Sequence, residues 1–235
     1  MFRKVCKYFH NLTHPVLGEV WELHRVTVEH SENREQQNYE ISPERFERLI
    51  IQYKAKGYDF ISVSELEGRI DNRRATSKFV AITFDDGYLD NYQNALPILE
   101  KYNIPFCIFI TKDYIEHGYP PYTMLNKRLI QELSQHTLCT IGSHTITHPM
   151  LSKLTEQQQF DEINGCKQWL ENLLNKKIDI FAFPFGCYNK TTLLILQKAG
   201  ITVSFAGWGG PIRKNAEYNL LKIPRIIITE NDKCN

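Results

Sequence analysis

Short apolar runs of strand type alternate with helix-type stretches along nearly all of this chain, and that alternation restricts its fold more than any other feature. The strand-type runs are VLGEVWELHRV (residues 16–26), a strand that ends near His24, then YDFIS, SKFVAITF, IPFCIFIT, LCTIGSH, IDIFAF, ITVSFA and LKIPRIIIT. After the first of them, ISPERFERLIIQYKAKG offers Ser42 as N-cap, Pro43 in the first turn, an apolar stripe of Phe46, Leu49, Ile50 and Tyr53, and a stop at Gly57. Further helices are expected around 64–67, over 91–102 with Pro97 bending it or ending its first half, and over 124–134. Thr155 and Gln158 resemble a capping box that opens a long helix, with Phe160, Ile163, Leu170, Leu173 and Leu174 facing a core. A last helix over 191–199 stops at Gly200. Strand and helix in strict alternation imply an α/β fold with a mainly parallel sheet, open or closed into a barrel. Either arrangement holds ligands beyond the carboxyl ends of its strands.

At 235 residues, 42% of them hydrophobic, the chain can build one core of α/β-barrel size, since such barrels run to about 250 residues. Lys and Arg total 28 against 27 Asp and Glu, which gives no electrostatic case for nucleic acid as a partner. No apolar stretch approaches the roughly 20 residues of a transmembrane helix. The N-terminus starts basic, but His10, Asn11, Thr13 and His14 interrupt any signal-like segment. Six cysteines at 6, 107, 139, 166, 187 and 234 contain no CxxC pair and fit reduced thiols in a cytoplasmic protein. A cytoplasmic location is therefore expected. Phe2, Arg3, Lys4, Lys7, Tyr8 and Phe9 could touch the inner face of a membrane, or form a frayed arm.

The chemistry sits at the strand ends: His24, Asp85-Asp86-Gly87, His144 with His148, and the Pro184-Phe185-Gly186 turn. Alone, Asp-Asp-Gly reads equally as a solvated turn. Two histidines four apart meet on one helical face or converge from a tight loop, and the spacing also occurs incidentally. Together, two imidazoles and one carboxylate make a ligand set for zinc that leaves positions open for water and substrate. The second aspartate can then stay off the metal and take a proton from water. Adjacent carboxylates point in different directions, which argues against a glycosidase pair facing each other at least about 5 Å apart.

Thr83-Phe84-Asp85-Asp86-Gly87, Ser143-His144-Thr145-Ile146-Thr147-His148-Pro149 and Phe183-Pro184-Phe185-Gly186 resemble, in order and spacing, the polysaccharide deacetylase family of carbohydrate esterases. The likeness extends over about residues 16–228, leaving a short N-terminal arm and C-terminal tail on a single catalytic domain spanning 1–235. It implies a distorted (β/α) barrel of mainly parallel strands and metal-dependent removal of acetyl from N-acetylated sugars. It assigns Asp86, His144 and His148 to a divalent metal, zinc first, with cobalt, nickel and iron also suited to such a set. It makes Asp85 the general base and the Phe185 backbone N–H a donor to the oxyanion.

Two positions depart from the family pattern. Many members place a histidine acid near the C-terminus, but no histidine follows His148 here. His24 is the best replacement, as in a subgroup similar to poly-N-acetylglucosamine deacetylases in which that element is permuted to the front; it could otherwise cap a strand. Ala182 stands where many members have an arginine, so Arg225 could orient Asp85 by a paired hydrogen bond or be an ordinary interstrand residue. Trp208 could stack on a sugar or pack in a loop. Cys187, with no basic neighbour in sequence, is not expected to be a nucleophile. The expected partner is an N-acetylated glycan or a lipid- or nucleotide-linked sugar. A binding-only relative on the same fold is the alternative, and a two-metal phosphoesterase lacks enough ligands. Oligomeric state has no signature.

Overall fold

The computed structural model describes residues 14–71 and 77–231. The N-terminal arm, Cys6 and Cys234 lie outside those residues. The strands are β1 (Val16–Leu23), β2 (Arg25–Val26), β3 (Glu40–Ile41), β4 (Asp59–Phe60), β5 (Phe79–Phe84), β6 (Phe106–Ile110), β7 (Cys139–Ser143), β8 (Ile180–Ala182), β9 (Val203–Phe205), β10 (Ile212–Arg213) and β11 (Ile226–Ile227). The main sheet runs β10-β1-β5-β6-β7-β8-β9, with β11 on β1 and β4 on β5; all of these pairings are parallel except β1 with β10. Ile223 bridges to Phe205 on β9, and three residues later β11 pairs with β1. This segment draws the two sides of the curled sheet together into a distorted barrel.

Inward and outward rows follow from the period of two along each strand. Phe79, Ala81, Cys107, Phe109, Ile180, Ala182, Val203, Phe205 and Ile223 fill the interior. Val80, Ile82, Phe84, Phe106, Ile108 and Ile110 face outward and are covered by helices. Those helices include α1 (Arg34–Gln37), α2 (Pro43–Ala55), α3 (Leu66–Asp71), α4 (Leu96–Lys101), α5 (Lys112–His117), α6 (Lys127–Gln135), α7 (Glu156–Leu174) and α8 (Lys190–Lys198). Gly142 marks how tightly the interior closes: a Cβ there would lie 2.4 Å from the Phe109 ring.

Local chemistry sets the boundaries. Ser42 caps α2 and Pro43 opens it, while Thr155 and Gln158 form a reciprocal capping box on α7. Two expectations hold and two change. The opening strand ends at Leu23, beside His24 as expected, and Arg25–Val26 pair with β3 in a separate two-stranded sheet. The helix over 91–102 divides near Pro97 as expected, into a π-turn (Asn91–Ala95) and α4, because Pro97 has no N–H to continue the first half. The helix of 124–134 begins only at Lys127, where the Asn126 side chain caps it. Phe160 is 37% exposed rather than core, because the buried stripe of α7 runs through Gln159, Ile163, Cys166, Lys167, Leu170 and Leu174, about 100° away. No helix among the described residues is long and apolar enough to cross a membrane.

Candidate active site

The inward rows continue past the strand ends, and there they become polar. On β1 the row is Val20, Glu22, His24; on β5 it is Ala81, Thr83, Asp85; on β7, Gly142 is followed by His144. Residues far apart in sequence therefore meet at one mouth, in a cleft of about 610 Å³ that includes Glu22, His24, Asp85, Asp86, His144 and His148.

Asp86, His144 and His148 bring one ligand atom each within 4.8 Å of one another. The Nε2 atoms of His144 and His148 lie 3.7 and 3.5 Å from Asp86 Oδ1, which is buried and has no hydrogen-bond partner. Those separations are long for hydrogen bonds. They suit ligands of a single ion, since donors at about 2.0–2.2 Å and tetrahedral angles sit about 3.3–3.6 Å apart. The residues fit a divalent metal.

The supporting contacts favour the same reading. His144 Nδ1 lies 2.9 Å from the Ala182 carbonyl, which can only accept, so Nδ1 carries the proton and Nε2 keeps its lone pair for the cleft. Burial pushes His144 down to about 4 despite the pull of Asp85, keeping the imidazole neutral as a ligand must be. The histidine pair sits on a loop, not a helix. Glu162 on α7 accepts from the N–H groups of Ile146 and Thr147 and from the Thr147 hydroxyl, at 2.7–2.9 Å. Asp86, Thr145, His148 and Phe185 all have φ between +56° and +74°, so much of the left-handed backbone strain in non-glycine residues gathers around this mouth.

Asp85 has its oxygens engaged by Arg225 instead, although its Oδ2 also lies 3.8 Å from His144 Nε2. Arg225 Nη1 and Nη2 each donate to Asp85 at 2.7 Å, and Arg225 also reaches Thr83 Oγ1 at 3.1 Å and the Ala206 carbonyl at 3.2 Å. Both partners are almost wholly buried, Asp85 at 2% and Arg225 at 1% exposure. Burial pushes the Asp85 carboxyl up, but Arg225 and then His144 outweigh it and hold it well below the usual carboxylate range. Arg225 thus lies beneath the cleft, not on its wall.

Glu22 is a site residue that the sequence motifs do not single out. Its Oε2 is 3.3 Å from Arg225 Nε, a poorer contact than either bond Asp85 receives, and it has no hydrogen-bond partner. Burial, partly offset by Arg225, pushes Glu22 up to about 8. Two carboxylates compete for one guanidinium, and Asp85 takes the charge. His24 stands beside both: Glu22, His24 and Asp85 offer atoms within 4.8 Å of one another, and His24 Nδ1 is buried and unpaired. Burial lowers the His24 pKa, while the charges of Asp85 and Asp86 pull it up.

Aromatic rings wall the cleft. Trp208 is 76% exposed on the rim and Phe185 is 51% exposed, its ring 4.6 Å from that of His148. Trp208 is seated by the approach of Gly186 to Gly207, where an added Cβ would stand 2.7 Å from the Gly207 nitrogen. Opposite, Tyr114 stacks on Tyr119 at 4.1 Å and on His148 at 5.7 Å. These tyrosines carried no signal beyond composition in the sequence.

A curled, mainly parallel sheet with a two-histidine, one-aspartate trio and a second aspartate held by arginine at its mouth is the arrangement of the polysaccharide deacetylase class. The chain belongs to the polysaccharide deacetylase family, whose model matches residues 72–204. It is 37% identical over 145 residues to a putative polysaccharide deacetylase, YxkH, of Bacillus subtilis, a match covering 61% of this chain and 50% of that protein. It is 28% identical over 212 residues to a poly-beta-1,6-N-acetyl-D-glucosamine N-deacetylase of Staphylococcus aureus, covering 86% of this chain and 72% of that one. The chain thus spans half of the Bacillus relative's length. Its fold superimposes on the Streptococcus pyogenes deacetylase PplD, solved in complex with acetate, with a TM-score of 0.80 and 27% identity, over 93% of this chain and 95% of that one.

Proposed function

We propose that this chain removes acetyl groups from N-acetylated amino sugars of a poly-N-acetylglucosamine-type glycan. The observation that carries the reading is the division of labour between adjacent aspartates: Asp86 turned to His144 and His148, Asp85 turned to Arg225 beside His24. Asp86, His144 and His148 would hold the metal, zinc before cobalt, nickel or iron given two imidazoles and one carboxylate. A bound ion would polarise the acetyl carbonyl and make water acidic enough to attack at neutral pH.

The chain's own groups do the rest. Asp85, kept ionised by Arg225, accepts the proton of the attacking water. The Phe185 N–H, in the turn beside His148, donates to the carbonyl oxygen as it gains charge. His24 delivers a proton to the departing sugar nitrogen, so that an amine and acetate leave. Trp208 and Phe185 offer apolar faces to the pyranose ring.

The cleft's charge narrows the substrate. Among the described residues lining it, Arg25 is the one Lys or Arg side chain, and it is bonded to Asp90 and Glu40 at 3.0 and 2.8 Å. The sequence suggested lipid- or nucleotide-linked sugars as alternatives, but apart from a metal the cleft offers no unpaired Lys or Arg among the described residues to bind a pyrophosphate. An uncharged glycan fits better.

The test compares acetate release from β-1,6-linked N-acetylglucosamine oligomers and from UDP-N-acetylglucosamine, in wild type and Asp85→Asn, with metal content measured on both proteins. Metal in both, and acetate from the oligomer with wild type alone, is the expected result. Equal turnover by Asp85→Asn would refute the base assignment; metal without acetate from either substrate would favour a binding-only relative.

A further inference from the structure

His24 lies in the break between β1 and β2, outside either strand's ladder, yet its place in the cleft must be held. The structure shows what holds it. Asn91 Nδ2 donates to the His24 carbonyl at 2.8 Å. The Val26 N–H donates to Asp90 Oδ1 at 3.2 Å, and Arg25 Nε donates to Asp90 Oδ2 at 3.0 Å. Asn94 Nδ2 donates to the Val26 carbonyl at 2.7 Å. Three side chains from one short stretch thus grip the backbone of residues 24–26 and the side chain of Arg25.

We propose that Asp90, Asn91 and Asn94 are positioning residues that set the proton donor of the reaction by fixing the backbone that carries His24. The proposal rests on the reading of His24 as the acid. Two further observations support it. The grip comes from the π-turn Asn91–Ala95 and the residue before it, and π-turns are rare and recur at functional sites. Asn91 is also 1% exposed with its own Oδ1 unpaired. A leucine would fill similar space without a buried orphan oxygen, so packing gives no reason for an amide here, whereas the bond to His24 does.

The consequence is mechanical. Asp85, Asp86 and the three gripping residues all lie within 85–94. One stretch of chain therefore sets the base, a metal ligand and, through residues 24–26, the acid. Base and acid must both reach one acetamide group, and a misplacement of about 1 Å can cost about 100-fold in rate.

The test uses metal-loaded Asn91→Leu, His24→Ala and the double variant on two substrates. One is the N-acetylglucosamine oligomer, whose amine leaves only when protonated. The other is 4-nitrophenyl acetate, whose phenolate leaves unaided. Asn91→Leu is expected to lower kcat on the oligomer about 10- to 100-fold while KM, metal content and aryl acetate hydrolysis stay within about twofold. In the His24→Ala background the same substitution should add no further loss. Hydrogen exchange should quicken at Arg25 and Val26 and stay unchanged in β5 and β6.

Equal losses on both substrates, or losses that multiply in the double variant, would overturn the proposal. Should Asn91→Leu fail to fold, Asn94→Leu, which removes only the bond to Val26, is subject to the same criteria. A His24→Ala protein that deacetylates like wild type would refute the acid reading, and this proposal with it. Leaving-group-dependent loss in His24→Ala but not in the asparagine variants would leave the acid standing and sink the grip alone.

Discussion

Substituting Arg225→Met tests the electrostatic centre of the site. Arg225 gives Asp85 two 2.7 Å charge-assisted bonds in a nearly dry environment, and it also bonds Thr83 and Ala206. Methionine keeps much of the side chain's length and removes every donor. Asp85 is then a buried carboxylate with no guanidinium, and losing one member of such a pair costs about 3–5 kcal/mol. The dependence on pH has a definite sign. Asp85 in the folded protein ionises well below the unfolded value of about 3.9, so its contribution is complete above about pH 4 and is lost as pH falls through the folded value. Wild type and Arg225→Met should therefore differ by about 3–5 kcal/mol at pH 7, and the gap should narrow as pH falls below about 4. Without Arg225, burial acts on Asp85 against only the pull of His144 and His24, so the acid limb of the rate profile should move to higher pH. The assay is urea denaturation from pH 7 to pH 3 on chelator-treated proteins, with pH–rate profiles on the metal-loaded ones. Arg225→Lys, which keeps the charge but not the paired bonds, should fall between. A neutral-pH difference under about 0.5 kcal/mol, or a gap that does not narrow on acidification, would refute the reasoning.

Glu162→Ala removes three bonds from the loop carrying His144 and His148, and metal affinity should fall about 10- to 100-fold in a chelator competition; unchanged affinity would mean that the loop holds its own shape. Trp208→Ala should leave stability within about 0.5 kcal/mol, because the ring is exposed, but raise KM for an oligomer about two- to tenfold if its free face covers a sugar as other aromatic contacts do. Glu22→Gln addresses the second carboxylate. Its folded pKa is pushed up to about 8, above the unfolded value of about 4.3, so the wild-type contribution is complete below about pH 4 and is lost as pH rises through about 8. The variant should therefore match wild type near pH 4 and exceed it in stability at pH 8.5, and the opposite trend in denaturation midpoints would exclude a protonated Glu22.

What could be read from the sequence divides along physical lines. Buried parallel strands need apolar residues on both faces, so β5 and β6 stand out as runs such as FVAITF and FCIFI. Asp85, Asp86, His144 and His148 were legible because each follows such a run and the residue types match one chemistry. Phe160 misled because the helical period alone does not say where a buried stripe ends. Arg225 stayed ambiguous for another reason: it is 140 residues from Asp85, and only closure of the curled sheet joins them.

Glu22 was missed although a signal existed. In VWELH, Trp21 and Leu23 look like the important residues of a buried strand, yet Val20, Glu22 and His24 share the inward face. Any carboxylate on an inward row, two residues before a strand-end histidine, points into the mouth by the period of two alone. The same rows explain how an acid at the front of the chain can serve a base 61 residues later. In a closed circuit of strands a residue's chemical place depends on which strands flank its own, and β1 lies between β5 and β11. His24, Asp85 and Arg225 are thus neighbours by sheet order, whatever their order along the chain. A sequence motif finds residues that are close in one stretch; the strand order finds those that the barrel makes close, and this site draws on both.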